Sequence, residues 1–223
     1  FPSKPLTPVL ERLFESGVPG AVMAALKIVE DHRIYRLTPV LMRLLAGGHP
    51  RVLIEALRAV RKMGEDESAP DVLALLKHED ALVIREAVIT LLSFSERRYW
   101  RHFVDLLSHP SATVRRTAVW AASLSGRPAA LQSILRALDR ETVADVRQEA
   151  LKRLSPFDRP EIIDYLTREA IGSGELSVRN MSRWYLDRVP PHSRFARYKV
   201  LYGHARDEAF GAGILDLAGR LGT

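Results

Sequence analysis

With 223 residues, 47% of them hydrophobic, the chain is long enough to bury a core without covalent staples. It contains no cysteine, which excludes disulfides, cysteine-ligated zinc, iron–sulfur clusters and thiol nucleophiles, and fits a cytoplasmic location. Lys and Arg number 33 against 27 Asp and Glu, a formal charge of +6. Charged residues recur too often for any run of roughly 18 apolar residues to span a membrane.

The sequence begins at Phe1 with neither an initiator Met nor a charged-then-apolar signal segment, so the chain is expected to be processed or part of a larger protein. Apolar residues then recur at helical spacing along the whole chain, and strand-like alternation is absent. The first helix, Thr7–Phe14, is expected to have Thr7 as its N-cap and Pro8 in its first turn, and it pairs with a helix around Ala21–Val29 in a unit over 7–30. In the unit 33–63 a helix at Leu37–Leu45 leads through the turn Gly47–Pro50 into the helix of Val52. The unit 68–94 has Asp71–Leu76 and the turn His78–Asp80, and the unit 97–125 has Phe103–Leu107 and the turn Ser108–Ser111. The unit 127–155 has Leu131–Leu138 and Asp139–Thr142, and the unit 159–188 has Ile162–Leu166 and Gly172–Gly174. These turns hold helix breakers and N-capping residues. Val189–Ser193 interrupts the period, Arg194–Asp207 reads as irregular, and Gly211–Leu221 as a last helix, so that 192–222 caps the C-terminal end. One domain over 1–223, with no internal linker, is expected.

A repeat underlies this order. Ala21, Val52, Val83, Val114, Val146 and Val178 are separated by 31, 31, 31, 32 and 32 residues. Four residues after each stand Ala25, Ala56, Ala87, Ala118, Ala150 and Ser182, a column of small side chains where helices must approach closely. Five after stand Leu26, Leu57, Val88, Val119 and Leu151, then Arg183; eight after stand Val29, Val60, Leu91, Ala122, Leu154 and Leu186. The Val-Arg pairs Val114-Arg115, Val146-Arg147 and Val178-Arg179, each followed by Ala118, Ala150 or Ser182, resemble the HEAT repeat, in the short form of the phycobilin lyases, over roughly residues 7–190. Val22, Leu53 and Ile84 stand where the first three arginines would be, and histidine often replaces the turn aspartate. The resemblance implies an all-α fold, a right-handed α-solenoid (superhelix) of about six to seven HEAT-like helical hairpins.

It also implies that the second helix of each hairpin lines a concave surface. On that helix the buried arc centres near about 70°, so position six, at about 240°, points away from the core. Position six holds Lys27, Arg58, Ile89, Trp120, Lys152 and Trp184, flanked by Lys62, Arg85, Arg116 and Arg188. Counted whole, the inner helices carry fourteen Lys and Arg against seven Asp and Glu. The expected function is a scaffold, adaptor or regulatory domain that binds a protein or peptide partner, an acidic one, through this basic surface. Lys27, Arg58, Lys62, Arg85, Arg116, Lys152 and Arg188 would attract it, and Trp120 and Trp184 would anchor it. A nucleic acid meets the same description. So does no partner at all, if the face is merely solvated and the tryptophans pack under neighbouring helices.

No catalytic residue, cofactor or metal is assigned. His49, His78 and His109 recur in equivalent turns, but stacked repeats would hold them about 10 Å apart, too far to share one ion at ~2 Å, so they are expected to cap turns. By the resemblance, Arg115, Arg147 and Arg179 form a ladder bonded to turn aspartates and carbonyls. Two enzymes of similar architecture frame the alternatives. Deoxyhypusine hydroxylase binds iron through several His-Glu pairs, where this chain has one, His78-Glu79. HEAT-like alkylpurine DNA glycosylases use tryptophans and a catalytic aspartate, for which Trp184 and Asp187 are the candidates.

Overall fold

A computed structural model describes residues 6–64, 66–95 and 97–220, and all regular structure within them is helical. Backbone contacts divide the chain into two compact units, Phe1–Ser125 and Gly126–Thr223.

Unit 1 is a series of helical hairpins. The first pairs α1 (Thr7–Glu15) with α2 (Pro19–His32), and the second α3 (Thr38–Leu45) with α4 (Pro50–Met63). The third pairs α5 (Ala69–Ala74) with α6 (Ala81–Phe94), and the fourth α7 (Trp100–Asp105) with α8 (Ala112–Leu124). Proline stands in the first turn of α1 to α5, where its missing N–H would have no intrahelical partner. Gly64, at φ 75°, stops α4 with its amide on the Val60 carbonyl. Both α5 and α7 tighten into 3-10 turns, Leu75–Lys77 and Leu106–Ser108. α1 begins at Thr7 itself, so Thr7 is a first-turn residue and not the N-cap, which is Leu6.

Helices α2, α4, α6 and α8 pack one on the next. Their contact runs through the small column: Ala25, Ala56, Ala87 and Ala118 are all 0% exposed. Where these backbones approach, Thr90 Oγ1 of α6 donates 3.3 Å to the Leu57 carbonyl of α4 and 2.9 Å to its own Glu86 carbonyl. The flanking Leu26, Leu57, Val88 and Val119 are equally buried, each such side chain contributing about 1.5–3 kcal/mol of transfer free energy.

Unit 2 starts with two hairpins on the same plan, α9 (Pro128–Leu138) with α10 (Ala144–Leu154) and α11 (Pro160–Gly172) with α12 (Leu176–Leu186). Ala150 of α10 and Ser182 of α12 hold the same repeat position, both 0% exposed. The stretch expected to be irregular from Arg194 is instead a helix, α13 (Pro191–Gly203), followed by α14 (Glu208–Gly219). Pro190-Pro191 ends one helical run and opens the next. What α13 buries is Arg194 and Tyr198, with no aliphatic stripe, and Arg197 grips Asp164 of α11 with Nε and Nη2 at 2.9 and 2.6 Å. A period written in Arg and Tyr escapes a search for apolar spacing. The expected last helix to Leu221, and the cap to 222, run past Arg220 and so end, like Phe1, outside the described residues.

α14 packs on α13 and α11. A Cβ at Gly213 would stand 2.6 Å from Ile171 Cγ2, so glycine permits that approach. On α12 the apolar column is broken by Arg183, whose Nε donates 3.2 Å to the Ala170 carbonyl.

Candidate functional site

On the inner helices of unit 1, Lys27, Arg58, Lys62, Arg85 and Arg116 are exposed, as the helical wheel requires. Their charge is less available than a residue count suggests. Lys62 Nζ lies 3.4 Å from both Glu30 Oε1 and Asp31 Oδ1 of α2. Arg58 Nη1 pairs with Glu55 at 2.7 Å, and its Nε is 3.7 Å from Glu86 of α6. Glu86 is only 5% exposed and accepts its shortest bond from Arg61 Nη1, at 2.6 Å. The helix spacing thus brings the cations of α4 against carboxylates in two separate clusters, Lys62 with Glu30 and Asp31 of α2, and Arg58 and Arg61 with Glu55 and with Glu86 of α6. Among the described residues Lys27 and Arg85 have no ion pair. Trp120 is half-buried, so it is not the open anchor that its position on the wheel implies.

In unit 2, Lys152 and Arg188 are exposed, and Trp184 is 51% exposed. The Arg188 guanidinium lies 3.1 Å from the Trp184 ring centre, and its Nη1 donates 2.8 Å to the Trp184 carbonyl. Tyr185 meets Trp184 edge to face, with centroids 4.8 Å apart and planes at 78°. These side chains border a groove of about 390 Å³ completed by Ser155, Pro156, Asp158, Val189 and Pro190. Asp187 does not line it. Its Oδ1 accepts from Arg194 Nη1 at 3.2 Å, so the tryptophan and the aspartate do not converge. Tyr185, Pro156 and Pro190 carried no signal in the repeat pattern. The Pro-Pro interruption after α12 was the nearest trace of the groove.

The arginines beside the core bond inward. Arg115 Nη1 donates to the His109 and Pro110 carbonyls at 3.0 and 2.8 Å, and Arg179 to the Ser173 carbonyl from Nε and Nη2 at 3.1 and 2.7 Å. Arg147 departs from this pattern, pairing with Glu169 of α11 and donating 3.1 Å to Ser173 Oγ. Burial alone would lower the Arg147 pKa, but the Glu169 carboxylate more than offsets it and raises it. Tyr165, 3% exposed, stands near both groups without hydrogen-bonding either. Burial, reinforced by the Glu169 charge, pushes its phenol above the ordinary tyrosine value. With Leu138, Asp139, Glu141 and Arg168 these three residues line a recess of about 260 Å³.

The turn histidines act as caps. His49 Nδ1 accepts from the Arg51 amide at 3.3 Å, His78 Nδ1 from Asp80 at 2.9 Å, and His109 Nδ1 from Ser111 at 3.1 Å. Among the described residues no three His, Asp or Glu stand close enough together to hold a metal ion, and no helix is long and apolar enough to cross a membrane.

The repeat geometry has a counterpart among known proteins. The family model for HEAT repeats matches residues 4–93, 72–155 and 101–187. The chain belongs to the HEAT-repeat family. Among solved structures this HEAT chain is similar to the complex of CpcE and CpcF of phycocyanin lyase from a Nostoc species, at 16% identity and a TM-score of 0.49, covering 91% of this chain and 89% of that one. It is also similar to a designed armadillo repeat protein in complex with the peptide (KR)4, at 19% identity and a TM-score of 0.47, covering 95% and 98%. No curated protein sequence matches it.

Proposed function

We propose that this HEAT-repeat chain is a non-enzymatic adaptor or regulatory scaffold that takes an acidic segment of a protein partner on the outward face of its inner helices. The observation that carries the reading is a set of exposed cations without a carboxylate partner among the described residues: Lys27 and Arg85 in unit 1, Lys152 and Arg188 in unit 2. In unit 1 Arg58, Lys62 and Arg116 add to the field around Lys27 and Arg85, and in unit 2 Trp184 offers apolar surface beside Arg188. That one domain spans 1–223 is part of the proposal, supported by the family match that runs through residues 101–187. A cytoplasmic location is also part of it, supported by a cysteine-free sequence.

The reading is tested by fluorescence anisotropy with a labelled Asp/Glu-rich peptide and labelled single- and double-stranded DNA and RNA, at low and physiological salt. Binding of the peptide, weakened about tenfold or more by the Lys27→Ala, Arg85→Ala pair, is the expected result. Preference for a nucleic acid, with log affinity falling steeply against log salt, would replace the adaptor by a groove binder and call for a glycosylase assay.

A further inference from the structure

We propose that the groove at the end of α12 is a preformed side-chain pocket for one residue of such an acidic peptide: an aromatic or large aliphatic residue directly beside an Asp or Glu. The inference rests on the function proposed above and adds what the peptide must carry besides charge.

The groove offers two kinds of surface at one place. Trp184, Tyr185, Val189, Pro156 and Pro190 are its apolar walls, and Trp184 remains 51% exposed, although an indole is among the largest apolar bodies a fold can bury. The prolines carry no backbone N–H, so an apolar side chain entering there covers none from them. A volume of about 390 Å³ falls in the lower range of small-molecule pockets, ample for one large side chain.

The polar part of the rim decides the sign of the charge. Arg188 is held over the indole by its own bond to the Trp184 carbonyl, which occupies Nη1. Its other donors have no carboxylate partner among the described residues, and a guanidinium presents them in a fork that fits a carboxylate. Asp158, a carboxylate that also lines the groove, accepts from Ser193 Oγ at 3.4 Å, and Asp187, outside it, accepts from Arg194. An incoming acid therefore meets the open donors of Arg188, and the apolar side chain next to it meets the indole.

The test uses the full chain and two labelled eight-residue peptides rich in Asp and Glu, one with a central Phe and one with Ala at that position, plus a proline-rich peptide and oligo-dT. The Phe peptide is expected to bind at least about tenfold tighter than the Ala peptide. Trp184→Ala should abolish that preference, and Arg188→Gln should weaken the Phe peptide severalfold. Circular dichroism melts of both variants establish that they fold. Equal affinity of the Phe and Ala peptides overturns the pocket and leaves the acidic-partner reading standing. Tighter binding of the proline-rich peptide, or of oligo-dT, overturns it in favour of polyproline or base stacking on Trp184. Failure of both acidic peptides to bind overturns the pocket and the adaptor reading together.

Discussion

In unit 1 the cations of α4 reach across to carboxylates on α2 and α6, so charge joins one inner helix to the next along their open face. In unit 2 the arginines of α12 turn back instead, Arg179 and Arg183 to backbone carbonyls of their own hairpin, as Arg115 of α8 does in unit 1, while Arg147 of α10 pairs with Glu169 of α11. The same residue type thus links one inner helix to the next on α4 and ties the turn of a single hairpin on α8 and α12. Formal charge on a repeat helix is therefore a poor measure of charge offered to a partner, and the pairing pattern has to be read first.

That contrast holds only if both units rest on the same apolar stripe. Leu57 of α4 and Leu151 of α10 occupy the same repeat position and are both 0% exposed, so Leu57→Ala and Leu151→Ala should each cost about 2–5 kcal/mol in urea unfolding. A loss below roughly 1 kcal/mol for one of them would show that its unit is not held by that stripe.

A smaller effect sharpens the difference at Arg147. Tyr165 keeps its proton in the fold above the ordinary value near 10, so between pH 10 and the folded pKa the native state binds more protons than the unfolded chain. The raised pKa contributes stability that is complete below pH ~10 and is lost as pH rises, at roughly 1.4 kcal/mol per pH unit. Thermal melts at pH 9 and 11 should show that decline reduced in Tyr165→Phe. At pH 7 the same variant should be neutral or slightly stabilised, because the hydroxyl it removes has no hydrogen bond.

The smallest effect is expected on the exposed side of the comparison. A double-mutant cycle of Lys62→Ala and Glu30→Gln should give a coupling below about 1 kcal/mol, vanishing in high salt. A larger, salt-resistant coupling would mean that the Lys62 contact between α4 and α2 is structural and closed to partners.

The repeat order of the fold was legible because its core obeys a simple rule: a small residue flanked by apolar ones on each inner helix, every 31 or 32 residues, with Arg183 of α12 as the exception. Helix α13 was not, because Arg194 and Tyr198 fill its buried positions and Asp164 supplies its anchor from a distant stretch of sequence. On the candidate site the wheel placed Lys27, Arg85, Lys152 and Trp184 outward, as found. It could not place Glu86, a buried acid that draws in Arg61 and Arg58, nor show that neighbours half-cover Trp120. Both depend on what the adjacent helix presents, and a single helix's periodicity does not contain that.

The turn histidines fix more than the turns. Because Nδ1 of His49, His78 and His109 accepts a backbone amide, the mobile ring proton of each must sit on Nε2. Three rings far apart in sequence are therefore held in one tautomer by one local device. Their nitrogen chemical shifts should coincide as a set, a spectroscopic label for intact repeat turns that needs no introduced probe.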